Sequence, residues 1–156
     1  MYESRAIGRY LATLGSGPEL IPTDPKARAK FEQAASIEYA QFDPIGFALL
    51  WEKAIKQYLG QTTDEERVKE LIPQLKTKLD GYEAILGKQK YLAGDVRPFQ
   101  SQRCRSNGLR VQDITLADLF HLPLGSIIFE QEQFKLDDLD KRPHLQRQGI
   151  CPNLEI

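Results

Sequence analysis

The chain has 156 residues, of which 41% are apolar and 28% are charged, and its formal net charge is −1. Such a chain is expected to fold as a single globular domain with a real hydrophobic core, which excludes a disordered or fibrous protein. A charge balance this close to zero supplies no global field that would draw the protein onto nucleic acid, so we expect no nucleic-acid partner.

The sequence also argues against a membrane or metal function. No uninterrupted apolar run approaches the ~18 residues of a membrane span, and the first residues lack the apolar region of a signal peptide. The two cysteines, Cys104 and Cys151, fit no zinc or redox spacing, and no cluster of side chains suits a metal. We therefore expect a cytoplasmic protein with no metal and no membrane partner.

A first short helix is predicted near the N-terminus. Apolar residues recur there with helical spacing, at Ile7, Tyr10, Leu11 and Leu14, and the glycine- and proline-containing stretch 15–18 ends the pattern. Nothing local can cover this apolar stripe, so we expect it to be exposed or loosely docked. Deleting residues 1–16 is then expected to leave the melting temperature of the remaining domain almost unchanged.

A long second helix follows. Asp24 is a suitable N-cap and Pro25 a suitable first-turn residue. Helically spaced apolar residues continue beyond Pro44, which should kink the helix because it lacks a backbone donor, and Gly60 ends the pattern. The sequence therefore predicts one kinked helix from about Pro25 to Leu59.

A third helix is predicted between Thr63, as its cap, and Gly87, with Pro73 inside it. Its apolar stripe consists of Val68, Leu71, Ile72, Leu75, Leu79, Tyr82 and Ile85. No convincing strand pattern occurs in the sequence. The predicted fold class is therefore all-α.

A fourth helix opens with a capping box. Thr115 and Asp118 have the spacing at which each can satisfy the backbone amide of the other. The helix then runs to about Phe129 and is apolar nearly all round, so we expect it at the domain centre. Both capping residues are assigned to folding and not to catalysis. His121, inside this helix, is interpreted as a packed or hydrogen-bonded histidine and not as a base or metal ligand.

Residues 96–112 differ from their surroundings, because they hold four arginines but no lysine, no acidic residue and no periodicity. They could form a basic nucleic-acid loop or a solvated insertion. A translated intron is the favoured interpretation, since Val96-Arg97 can encode a donor site, Gln112 an acceptor site, and the segment is in frame. Residues 141–156 also lose all pattern and are predicted to be an irregular tail.

Several short motifs together resemble the glutathione S-transferases, in the style of phi-like fungal and plant members. The motifs lie at Glu3–Ile7, Asp24–Arg28, Leu79–Glu83, Tyr91–Asp95 and Ile114–Leu119. The resemblance covers Tyr2 to Lys141 apart from the insertion. It implies that residues 1–17 are the end of a thioredoxin-like domain with its linker, and that residues 18–140 are the C-terminal helical domain, a helical bundle.

The resemblance also implies a function, namely conjugation of the glutathione thiolate to hydrophobic electrophiles. Glutathione would be the co-substrate, with no tightly bound cofactor, and the full-length protein would be a cytoplasmic homodimer. The family's catalytic Ser or Tyr belongs to the part of the thioredoxin-like domain that precedes Met1, so no catalytic residue is assigned and little conjugating activity is expected of this chain. The alternative is a non-catalytic assembly module, as in translation elongation factors, which should co-purify with a large partner and not bind immobilised glutathione.

By resemblance, Glu3 and Ser4 grip the γ-glutamyl end of glutathione. A Glu carboxylate can pair with the ligand's ammonium group, and a Ser at a helix N-terminus can receive its carboxylate. The alternative is that Ser4 is only an N-cap and Glu3 a solvated charge. Arg5 matches an arginine that faces the other subunit, a dimer-interface role whose alternative is a plain surface charge.

The stretch around the Pro44 kink is predicted to line the electrophile pocket. By resemblance, the lining residues are Phe42, Ile45, Gly46 and Phe47. An apolar groove beside a kink is a plausible site for a hydrophobic substrate. Ordinary core packing of these residues is the alternative.

Overall fold

The regular secondary structure is helical in the residues that the computed structural model describes, which are 2–14, 19–94, 114–130 and 142–147. These ranges contain α1 (Ser4–Leu14), α2 (Pro25–Ile37), α3 (Asp43–Leu50), α4 (Lys56–Tyr58), α5 (Glu65–Leu86), α6 (Leu116–Phe120), α7 (Leu122–Glu130) and α8 (Pro143–Arg147). They contain no strand, which confirms the all-α class. The predicted insertion 96–112 lies outside them. No helix among them is long and apolar enough to cross a bilayer.

The predicted long helix is present and spans residues 25–58 without a break. The Asp24 carboxylate caps it by accepting a hydrogen bond from the Ala27 amide at 2.9 Å. Instead of one kink, two π-helical turns interrupt the α-helical geometry, at Glu38–Phe42 and Trp51–Ile55. The first ends just before Pro44, whose ring would crowd the carbonyl one turn back, and the wider turn relieves this conflict.

Helix α5 begins one residue later than the sequence suggests. Its N-cap is Asp64, whose carboxylate accepts from the amides of Glu66 and Arg67 at 3.1 and 3.0 Å. The predicted cap Thr63 is wrong, because its hydroxyl is engaged elsewhere and donates to the Glu52 carbonyl oxygen at 3.0 Å. Thr63 thus ties the start of α5 to the end of the long helix.

One apolar core joins the long helix to α5, α6, α7 and α8. Its largest fully buried apolar side chains are Phe31, Phe42, Leu49, Leu75, Leu79, Ile128 and Leu145. Five residues of the predicted stripe of α5 are buried in this core, whereas Ile72 and Ile85 are half-buried, and Leu86 is buried in addition. Pro73 lies inside α5 without ending it.

The prediction of an irregular tail is wrong for α8, which docks on α5. Leu145 is fully buried. The two carboxylate oxygens of Glu83 accept from the amides of His144 and Leu145 at 3.1 and 3.0 Å, which caps α8 from another helix. The Arg142 guanidinium donates to the Asp80 carboxylate at 2.6 and 3.0 Å. Glu83 lies 61 residues before His144, and Asp80 lies 62 residues before Arg142. No local sequence pattern therefore predicts the helix.

The central helix is divided in two, α6 and α7, at His121. Thr115 and Asp118 form the predicted capping box at the start of α6. One Asp118 oxygen accepts from the Thr115 amide at 2.9 Å, and the other accepts from the Leu92 amide at 2.9 Å. Asp118 therefore also ties the segment before residue 94 to α6, which supports its assignment to folding.

His121 is a packed, hydrogen-bonded histidine, as predicted. Its side chain is fully buried, with Nδ1 2.9 Å from the Ala117 carbonyl oxygen and Nε2 3.0 Å from the Tyr82 hydroxyl. A carbonyl oxygen can only accept, so Nδ1 carries the proton and Nε2 accepts from Tyr82. Burial lowers the pKa of His121 to about 4 and raises the pKa of Tyr82.

The low pKa of His121 predicts a loss of stability in mild acid. The unfolded chain binds a proton at this imidazole near pH 6.5, whereas the folded chain does so only near pH 4. Stability is therefore complete above pH 6.5 and falls as the pH drops, by about 2–3 kcal/mol between pH 7 and pH 4.5.

Urea unfolding at these two pH values measures the effect. Protonation of hydrogen-bonded carboxylates also destabilises the folded state as the pH falls. The comparison therefore needs a variant without the imidazole. The double change His121→Leu and Tyr82→Phe removes both polar partners and should make the pH dependence shallower by about the same 2–3 kcal/mol. A variant with the wild-type pH dependence would show that His121 does not cause it.

Candidate functional site

An ion cluster fastens α1 to the long helix. Nε and Nη2 of Arg5 donate to the two carboxylate oxygens of Glu38, each at 2.8 Å, and Nη2 also lies 2.9 Å from the Asp43 carboxylate. The Glu38 side chain is 1% exposed and that of Arg5 is 22% exposed. The hydrogen bonds to Glu38 raise the pKa of Arg5. Arg5 is therefore not a plain surface charge, and its guanidinium is held within its own chain.

Further contacts hold α1 against α2 and α6. A Cβ built on Gly8 would lie 3.2 Å from the Phe120 ring, so the two helices meet at this glycine. The Arg9 guanidinium covers the same ring at 5.5 Å and lies 3.5 Å from the Glu32 carboxylate. The opposite face of α1 points away from the domain. Tyr10, Leu11 and Leu14 are exposed on this face, whereas Ile7 is half-buried, so the expected exposure is confirmed for three of the four residues of the apolar stripe.

The start of α1 has an unusual backbone conformation. Glu3 has a φ of 73°, in the left-handed region that residues other than glycine rarely adopt. Ser4 is the first residue of α1, and both side chains are exposed. Strain of this kind costs on the order of 1–3 kcal/mol and persists only where the surroundings impose it, typically at functional sites. Arg5, two residues after Glu3, is bound to Glu38 and Asp43.

The predicted electrophile pocket is only partly supported. Phe42 is fully buried, with its ring centroid 6.1 Å from that of Tyr82 and 5.2 Å from that of His121. Gly46 is also buried and faces Leu124 of α7. These two residues lie on the core side of the long helix with Leu49, which favours core packing over a place in the pocket.

Phe47 and Ile45 remain candidates for contact with a ligand. Ile45 is half-buried and packs against the core, whereas Phe47 is 51% exposed. Trp51, which lies one turn beyond Phe47, is 40% exposed on the same face of the helix. Trp51 belongs to the helically spaced apolar residues beyond Pro44, a pattern that predicts packing and not exposure. The four-residue spacing between Phe47 and Trp51 places both on one helix face, and this is the signal that could have identified Trp51 as a candidate.

Gly46 provides a test of the close packing between the long helix and α7. A Cβ at this position would lie 2.5 Å from Cδ2 of Leu124 and 3.1 Å from Cδ1 of Ile128. We expect Gly46→Ala to destabilise the fold by about 1–2 kcal/mol despite the better helix propensity of alanine. Gly81→Ala is the matched control, because nothing lies within 4 Å of its Cβ position. It should stabilise α5 by up to about 1 kcal/mol. Equal effects of the two changes in urea unfolding would contradict the packing argument.

A cavity of about 220 Å³ lies elsewhere, between α2, the end of α5 and the segment that follows it. Its lining residues are Lys30, Gln33, Ala34, Ile37, Ile85, Gln89, Leu92 and Ala93. None of the predicted site residues contributes to it. Among the described residues, no group of three or more His, Cys, Asp or Glu side chains could hold a metal ion.

Known proteins share both the sequence and the fold, although no protein-family model matches the chain. Glutathione S-transferase PM239X14 of Arabidopsis thaliana is 45% identical over 149 residues, which are 94% of this chain and 59% of that protein. Glutathione S-transferase hmp2 of Hypomyces subiculosus is 41% identical over 132 residues, 82% of this chain and 54% of that protein. The chain thus spans less than two thirds of the length of these relatives.

Solved structures agree. Glutathione S-transferase I from maize, in complex with an atrazine glutathione conjugate, superposes with a TM-score of 0.77 at 31% sequence identity. The superposition covers 95% of this chain and 61% of the maize chain. Glutathione transferase F7 from Populus trichocarpa gives a TM-score of 0.76 at 26% identity, covering 96% and 62%.

Fold and site together define an all-helical domain with a short helix fastened to it by an ion cluster. This is the fold of the C-terminal helical part of the glutathione S-transferases. The chain is homologous to the plant and fungal phi-class members of that family.

Proposed function

We propose that this chain serves glutathione conjugation, in which the glutathione thiolate attacks the electrophilic centre of a hydrophobic compound. Glutathione is the co-substrate, no cofactor is tightly bound, and the reaction takes place in the cytosol. The observation that carries the proposal is the start of α1, where Glu3, with its positive φ, and Ser4 directly precede Arg5, whose side chain is bound to Glu38 and Asp43 of the long helix. Relatives bound with lactoylglutathione and with an atrazine glutathione conjugate support a site for glutathione joined to a second group.

The start of α1 suits the γ-glutamyl end of glutathione. The Ser4 hydroxyl and the free amides of the first turn can donate to its carboxylate, aided by the helix dipole. The Glu3 carboxylate can pair with its ammonium group. Both side chains are exposed, and neither needs to leave the core to reach a ligand.

The ion cluster positions this grip. A two-pronged bond from Arg5 to Glu38, and a further one to Asp43, leave the guanidinium little freedom to move. Ser4 precedes Arg5 directly, so the buried carboxylate also fixes the first turn of α1. A ligand then meets donors that are already in place, which lowers the entropy lost on binding.

Calorimetric titration of the chain with glutathione tests the proposal. We expect measurable binding, and we expect Ser4→Ala and Glu3→Ala each to weaken it about tenfold, the effect of losing one charged hydrogen bond. Thr13→Ala is the matched control, because this hydroxyl also lies on α1 but donates to the Tyr10 carbonyl at 2.6 Å. The control should bind as the wild type does. Absence of binding, or wild-type affinity in both site variants, would contradict the proposed function.

We also propose that the protein works as a homodimer with Arg5 near the interface. The Tyr39 ring lies 5.1 Å from the Arg5 guanidinium carbon and is 61% exposed, so the ion cluster continues into an exposed aromatic surface. A second copy could cover this ring. Sedimentation velocity should show a dimer that Tyr39→Glu converts to a monomer, and a wild-type monomer at micromolar concentration would contradict the proposal.

A further inference from the structure

We propose that the cavity beside Lys30 is a binding site for a small carboxylate with an apolar tail. This cavity, called the Lys30 cavity below, has a volume of about 220 Å³. A cavity of roughly 150 Å³ with apolar walls is large enough to hold benzene, so the Lys30 cavity has room for a slightly larger hydrocarbon group. Neither Glu3 nor Ser4 lines it, and the inference therefore stands independently of the proposed function.

Apolar side chains form the walls of the Lys30 cavity. They are Ala34 and Ile37 from α2, Ile85 from α5, and Leu92 and Ala93 from the segment after α5. The two alanines and the leucine are buried, and the two isoleucines are half-buried. Burying hydrocarbon against such walls is favourable in proportion to the area removed from water. The body of the ligand is therefore apolar.

The polar lining residues mark the mouth of the cavity. Lys30 and Gln33 are exposed, and Gln89 is half-buried. On α2, Lys30 and Gln33 share one face with Ala34 and Ile37, because residues three, four and seven positions apart lie on the same side of a helix. That face passes from polar to apolar within two turns. A ligand that fits it has a polar head and an apolar tail.

The Lys30 ammonium group gives the head its charge. A Cβ built on Gly94 would lie 3.5 Å from Nζ of Lys30 and 3.6 Å from Oε1 of Gln89. Nε2 of Gln89 donates to the carbonyl oxygens of Tyr91 and Leu92 at 2.8 and 2.9 Å, so this side chain is fixed beside the mouth. Within the described ranges of the chain, Lys30 has no ion-pair partner. Its ammonium group is therefore available to an anion.

The surroundings of the mouth are basic as well. The stretches 25–31 and 84–94 together hold five basic residues and no acidic one. Two acids that flank these stretches are engaged elsewhere. Glu32 accepts from Arg28 at 2.8 Å, and Glu83 accepts from two backbone amides of α8. This charge distribution attracts a carboxylate and repels a cation.

Nuclear magnetic resonance of the full ¹⁵N-labelled 156-residue chain tests the site with three probes at low ionic strength. Octanoate has the expected head and tail, octylammonium has a similar tail with the opposite charge, and butyrate has the same head with a shorter tail. We expect octanoate to shift the amides of Ala34, Ile37, Leu92 and Ala93 most. Octylammonium should bind about tenfold more weakly because Lys30 repels it. Butyrate should also bind at least tenfold more weakly, because each buried methylene contributes about fourfold in affinity.

Variants assign the head and the tail separately. Lys30→Glu should reverse the charge preference, so that octylammonium binds about tenfold more tightly than octanoate. Lys69→Glu is the matched control, because it changes the net charge equally from an exposed position on α5 outside the cavity. This control should prefer octanoate as the wild type does. Ile85→Trp should fill the cavity and weaken octanoate binding at least tenfold without any change in charge.

Three outcomes would overturn the inference. The first is absence of octanoate binding. The second is equal affinity of the wild type for octanoate and octylammonium, or a preference for octanoate that survives in Lys30→Glu, since the head would then not meet this ammonium group. The third is that the largest octanoate shifts occur at Tyr10, Leu11 and Leu14, because the tail would then lie on the exposed face of α1 and not in the cavity.

Discussion

Replacing Phe42 by alanine should destabilise the protein by about 3–5 kcal/mol, the usual cost of removing a fully buried phenylalanine ring. Phe42 has no exposed surface and packs on the rings of Tyr82 and His121. Its removal leaves a cavity where three helices meet. Urea unfolding of the wild type and the variant measures the difference.

Phe47→Ala is the matched control for this change. It lies on the same helix five residues further on, but half of its side chain is exposed. Its truncation should therefore cost only about 1 kcal/mol. If Phe42→Ala were as mild as Phe47→Ala, the ring would not be part of the core, and its predicted place in the electrophile pocket would be restored.

Replacing Arg5 by alanine should cost about 3 kcal/mol, at the lower end of the range for breaking a buried ion pair, since Arg5 itself is partly exposed. The change leaves the carboxylate of Glu38 in the core without its two-pronged partner. Asp43 loses its bond as well, but it is partly exposed and can turn to water.

A double variant separates the ion pair from mere packing. Removing both charges, with Arg5→Met and Glu38→Leu, should recover most of the lost stability, because no uncompensated charge stays buried. A double variant as unstable as Arg5→Ala would contradict this account. The same reasoning revises the expectation for deletion of residues 1–16, which should now lower the melting temperature because it removes Arg5.

Local signals in the sequence predicted most of the helices. Asp24 with Pro25 marks one helix start, and Thr115 with Asp118 marks another, because capping depends on side chains within three residues of the amides that they satisfy. The same reasoning predicts Thr63 as the cap of α5, one residue before the observed cap Asp64. Thr63 and Asp64 are both good caps, and only the contact of Thr63 with Glu52 distinguishes them.

Contacts between distant residues account for what the sequence did not show. Arg5 and Glu38 are 33 residues apart, and Arg142 and Asp80 are 62 apart. Neither pairing follows from a local pattern. The sequence therefore contains no local signal that predicts how α1 docks or that α8 is present. Phe42 and Phe47 look alike in the sequence, and only the rotation of the long helix against α5 and α7 puts one in the core and the other at the surface.

The central claim is that the start of α1 holds glutathione. The most direct measurement is a titration of the ¹⁵N-labelled chain with glutathione, followed by the chemical shifts of its backbone amides. We expect the largest shifts at Glu3, Ser4 and Arg5, and we expect Ser4→Ala to reduce them while the amides of α8 stay unchanged. No shifts at the start of α1, or larger shifts around the distant cavity beside Lys30, would contradict it.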